Sequence, residues 1–144
     1  MMQEIIVGID FSNASLTALR LGVDIANRTG ANLLMVWVET AEKDPIEAEK
    51  ILKELTSSFT PAMQGKKIDY LIEQGSKVPT AMIKVIKQRY PDLLIIGTNG
   101  NSGFDERFAG ANCYKTIVDC PVPVLTLREN FNFAKPLNNI ILPI

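Results

Sequence analysis

The sequence predicts an α/β fold: a five-stranded parallel sheet in strand order 3-2-1-4-5, helices on both faces, and a strand-like C-terminal tail. Two observations lead there. Short apolar runs, of the kind a doubly covered strand needs, alternate along the chain with stretches whose apolar residues recur at helical spacing. The most loop-like strand ends follow the first and fourth runs, and ligands in such sheets bind where strand order reverses. Placing both ends at the reversal makes strands one and four neighbours, as in the order 3-2-1-4-5, and right-handed crossovers leave few other topologies.

The first strand is "EIIVGI", residues 4–9, ended by Asp10. Ser12 or Asn13 can cap the helix that follows, in which Leu16, Leu19, Val23 and Ala26 keep helical spacing, and Gly30 closes it. "NLLMVWV", 32–38, is the second strand, with Trp37 as core packing. Ala48, Ile51, Leu52, Leu55 and Phe59 mark a second helix, and "KIDYLIE", 67–73, alternates as the third strand. The stretch between them, "KELTSSFTPAMQGKK", is a helix end and a polar connection. Val78, Met82, Val85 and Ile86 carry the third helix, stopped near Tyr90-Pro91. "DLLIIG", 92–97, is the fourth strand, "ANCYKTIVD" the fourth helix and "VPVLTL", 122–127, the fifth strand.

Composition narrows the function classes. The chain has 144 residues, 47% of them apolar, and a net charge of −1, which argues for one domain of ordinary size and against nucleic acid as a partner. No apolar run reaches the roughly 18 residues that span a bilayer, and "MMQEIIVGID" is not a signal peptide, so no membrane is expected and the cytoplasm is the expected compartment. There is no histidine, which removes Ser–His–Asp and Cys–His nucleophile systems and argues against a zinc site. No metal site is expected. Cys113 and Cys120 would lie about 10 Å apart on a helix, too far for a disulfide. Cys113 could be a thiolate at a helix start or a small packing residue; Cys120 reads as a buried apolar residue.

The tail repeats the beginning. "NNIILPI", 138–144, matches "QEIIVGI", 3–9, position by position: two polar residues, two isoleucines, an aliphatic, a small residue or proline, and isoleucine. Residues 1–128 are therefore read as one domain, and 129–144 as a linker and the start of a second repeat.

Four of the nine glycines, Gly97, Gly100, Gly103 and Gly110, fall in the loop after the fourth strand. Such a loop before a helix can cradle an anion with bare N–H groups, or it can simply turn. Neither GxxxxGK[ST] nor GxGxxG is present.

In full, the loop reads Gly97-Thr-Asn-Gly100, nine residues, then Gly110-Ala111. With "IIVGIDFSNAS", "LLMVWVE" and "CPVPVLTLR", it resembles the universal stress protein family over essentially the whole chain. The resemblance implies a Rossmann-like fold that binds ATP, or ADP or AMP, with room for Mg to accompany the phosphates. By that resemblance Gly8, Ile9 and Asp10 line the adenosine pocket, Val38 offers backbone to the adenine edge, and Ile96 and Gly97 lie against the nucleoside. Gly100, Gly110, Ala111, Asn112 and Cys113 would surround the phosphates. It also implies that the edge strand, 122–127, joins two domains, here as a homodimer. Ala111 departs from the family's Ser or Thr and loses one hydroxyl donor to phosphate; Asn112 can donate from its amide instead. Gly8 stands where the family often has proline.

Two function classes follow: an adenine-nucleotide-binding stress-response or regulatory module, or a dimerisation and interaction module with a vestigial pocket. Enzyme activity, at most slow ATP hydrolysis, comes third, because no catalytic residues are identified. Asp10 has no partner nucleophile, so binding suits it better than general-base work.

Overall fold

The computed structural model describes residues 2–41, 43–98, 116 and 118–133. Its elements in chain order are β1 (Glu4–Gly8), α1 (Asn13–Thr29), β2 (Asn32–Glu39), α2 (Pro45–Phe59), a 3-10 turn (Pro61–Met63), β3 (Ile68–Gln74), α3 (Val78–Arg89), β4 (Leu93–Thr98) and β5 (Val124–Arg128). All strand pairs are parallel and the sheet order is β3-β2-β1-β4-β5, the order expected.

Side-chain alternation along each strand divides the core in two. Ile5, Val7, Leu33, Met35, Trp37, Leu93 and Ile95 face α1 and α2, where Leu19, Ile25, Ala48 and Leu52 complete one cluster. Ile6, Leu34, Val36, Val38, Leu94 and Ile96 face the other way, against Val78, Met82, Val85 and Ile86 of α3. Strands buried on both faces explain why the apolar runs are continuous rather than alternating.

Local chemistry sets the boundaries. Ser12 caps α1, its Oγ accepting from the Ser15 N–H at 3.1 Å, and Gly30 ends the helix in the left-handed region at φ 81°. Helix α2 begins three residues before the apolar periodicity does, because Asp44 accepts from the Ile46 N–H and Pro45 fits the first helical position. Strand β5 starts two residues later than expected, just after Pro123, which has no N–H, and runs on to Arg128. Met63, in the connection read as polar, is fully buried against α1 and α2; a single large apolar residue in a short connection leaves no periodic signal. At the opposite end of the sheet from the strand C-termini, Asp92 locks β4 to β1: its Oδ2 accepts from the Gln3 and Glu4 N–H groups at 2.6 and 3.1 Å.

Of the expected fourth helix, Thr116, Val118 and Asp119 are described and helical. Residues 129–133 continue past β5 and fold back: the Thr17 hydroxyl donates to the Glu129 carbonyl at 3.0 Å, and Phe131 and Phe133 pack against the α1 cluster. The repeat-like stretch 138–144 lies outside the described residues.

Candidate functional site

The sheet has a notch at its carboxyl edge. Strand β1 stops at Gly8, whose partner on β2 is Val36, and Ile9 adds one further bond, its N–H donating to the Val36 carbonyl at 2.9 Å. On one side β2 runs on through Trp37, Val38 and Glu39, still paired with β3. On the other, β4 runs on through Gly97 and Thr98, still paired with β5. Residues two apart on a strand point their backbone groups the same way. The Val36 carbonyl faces β1, so the Val38 N–H and carbonyl face the same side, above the point where β1 has turned away.

The floor of the notch is the turn from β1 into α1, a closed network of hydrogen bonds. Asp10 Oδ1 accepts from the Ser12 N–H at 3.0 Å and the Ser12 hydroxyl at 2.5 Å. Ser15 Oγ donates to the Ser12 carbonyl at 3.0 Å and accepts from the Asp10 N–H at 3.4 Å. Among the described residues, the other carboxylate oxygen of Asp10 has no protein partner. The half-buried carboxylate thus spends one oxygen on the turn and keeps one for a hydroxyl or amine donor.

Phe11 makes the turn possible and was not legible in the sequence. Its φ is +65°, a conformation unusual for an aromatic residue and costing of order 1 kcal/mol or more. The ring is held against Trp37, centroids 5.8 Å apart, and Lys43 lies over it with Nζ 5.0 Å from the centroid. The contact joins the β1–α1 turn to the β2–α2 connection.

Gly97 has a packing role beyond the one expected. A Cβ there would collide with the Ala14 carbonyl and stand 2.8 Å from the Ser15 backbone nitrogen. The first turn of α1 rests directly on β4, so one wall of the notch is helix backbone.

Six of the expected site residues, Gly8, Ile9, Asp10, Val38, Ile96 and Gly97, therefore gather at this notch. Ile9, Val38 and Ile96 have their side chains buried in the two cores, so what they present is backbone. Gly100, Gly110, Ala111, Asn112 and Cys113 lie outside the described residues. Burial pushes the half-buried Cys120 thiol above its ordinary pKa. Among the described residues no group of three His, Cys, Asp or Glu side chains could hold a metal ion, and no helix is long and apolar enough to cross a membrane.

The family model described as "Universal stress protein family" matches residues 1–128. The chain belongs to that family. A universal stress protein of Mycobacterium tuberculosis is 29% identical over an alignment of 136 residues that covers 89% of this chain and 49% of the relative. The chain spans about half the length of the curated relatives it matches. Among solved structures, a universal stress protein of Lactobacillus plantarum superposes with a TM-score of 0.74 at 20% identity, covering 88% of this chain and 98% of the other, a likeness of fold. A universal stress protein solved in complex with cAMP gives 0.71 at 26% identity, covering 90% and 98%.

Proposed function

We propose that this universal stress protein domain binds an adenine nucleotide, ATP or its diphosphate or monophosphate, in the notch above β1. The single observation that carries the reading is the pairing of polar groups left open among the described residues: the Val38 backbone, on the β1 side of β2 but beyond the last β1 partner, and the second oxygen of Asp10. An adenine edge offers a donor and an acceptor side by side, as a strand backbone does. A ribose offers hydroxyl donors to a carboxylate. The cAMP complex of the 26%-identical structure supports the same ligand class.

The phosphates would extend toward Gly100, Gly110, Ala111, Asn112 and Cys113. Magnesium, where present, would ride on the phosphates rather than on a protein cluster. Among the described residues the notch offers hydrogen-bonding groups and no nucleophile paired with a base, and the role proposed is a regulatory one, exerted through occupancy and assembly, in the cytoplasm. In a thermal-shift experiment, ATP or ADP at a hundredfold excess over Kd should stabilise the protein by about 2.7 kcal/mol and raise Tm by roughly 5 °C or more. No shift and no calorimetric heat at millimolar nucleotide would leave the interaction-module reading in its place.

Assembly is proposed through β5. It is one of the two edge strands, with Val124 and Leu125 half-buried and Thr126 and Arg128 exposed, and an unpaired edge invites a second strand. Residues 129–144 would be the start of the passage to a second repeat, in keeping with relatives about twice as long. The isolated chain is expected to run as a homodimer in light scattering; a monomer persisting at high concentration overturns this.

A further inference from the structure

The first turn of α1 serves two places at once. Its start forms the notch: Ser12 holds Asp10, and Ala14 rests on Gly97. One turn on, Thr17 Oγ1 lies 3.0 Å from the Asn13 carbonyl within α1 and 3.0 Å from the Glu129 carbonyl beyond β5. A hydroxyl has one proton, so these two carbonyls compete for it. Glu129 opens a short strap. The Phe131 N–H donates to the Arg128 carbonyl at 3.1 Å, and Phe131 meets Phe133 edge to face, centroids 5.0 Å apart. Arg20, one turn along α1 from Thr17, lies over the Phe133 ring at 4.4 Å. The strap lies beyond residue 128, where the family match ends.

From this shared turn we infer that residues 129–133 are a strap coupled to the notch, so that ligand occupancy regulates how firmly the chain is held where it leaves the domain. The inference rests on the nucleotide reading above. A ligand hydrogen-bonded to Asp10 orders the turn that caps α1. A firmer first turn fixes the Thr17 side chain and holds its hydroxyl within reach of the Glu129 carbonyl. Occupancy then tightens the strap, and by linkage a tighter strap strengthens ligand binding by the same factor. In a longer relative, the second half of the chain would feel the first half's ligand through these five residues.

Amide hydrogen exchange of the 144-residue chain, with and without saturating ATP, reads the strap through Phe131. Exchange at Phe131 is expected to slow about fivefold on ATP binding, the low end of coupling between linked sites. Thr17→Val, which keeps the shape and removes the shared proton, should reduce the slowing to less than about twofold, while Thr17→Ser should retain it. An unchanged melting point for Thr17→Val would show that the loss is one of coupling rather than folding. ATP binding with heat but no change at Phe131 overturns the strap alone. Absence of any binding heat overturns both this inference and the nucleotide reading.

Discussion

Gly97→Ala is expected to destabilise the protein by about 3 kcal/mol, the upper part of the range for overpacking a filled interior. The added methyl would meet the Ala14 carbonyl and the Ser15 nitrogen, which are helix backbone. A clashing side chain can rotate away, but here the first turn of α1 must move as a unit. That movement would carry Ser12 and the Asp10 turn with it, so nucleotide affinity should fall even well below the melting transition. Urea unfolding monitored by circular dichroism gives the first effect, and calorimetry of ATP binding the second. A loss smaller than about 0.5 kcal/mol, within the range of ordinary surface changes, would mean that α1 is not seated on β4 as described.

Asp10→Asn should separate the two oxygens of that carboxylate. The amide oxygen can still accept from the Ser12 N–H and hydroxyl, so the turn and the melting temperature should change little. The other position becomes a donor, facing the hydroxyl donors of a ribose with the wrong polarity. Hydrogen bonds to a charged group are worth about 1.5–3 kcal/mol, so ATP affinity is expected to drop roughly 10–100-fold. Adenosine should lose as much as ATP, because the contact proposed is to the nucleoside. A variant that binds ATP as tightly as the parent chain would remove Asp10 from the site, and a large fall in Tm would show that both oxygens serve the fold.

What the sequence determined by itself is whatever repeats or punctuates. Continuous apolar runs between helix-spaced stretches carried the parallel sheet, because burial on both faces leaves that pattern along a strand, and the loop-like ends of the first and fourth runs, read with the switch-point rule, carried its order. Ser12 and Gly30 marked the ends of α1 for the same reason: capping is local chemistry. The glycine spacing and Asp10 pointed to the strand ends where the notch lies. Tertiary structure alone decided what depends on one residue meeting another far along the chain. Phe11 adopts a positive φ with its ring between Trp37 and Lys43, a preference no aromatic residue carries in itself. Gly97 owes part of its role to Ala14, more than eighty positions earlier, and Met63 is buried although the short connection that holds it shows no apolar period. Phe131 and Phe133 read as an irregular tail until α1 supplies the surface on which they pack. Local pattern records how a segment is covered, whereas a contact between distant segments is specified by shape and proton count at one point, and a single sequence holds no periodic trace of that.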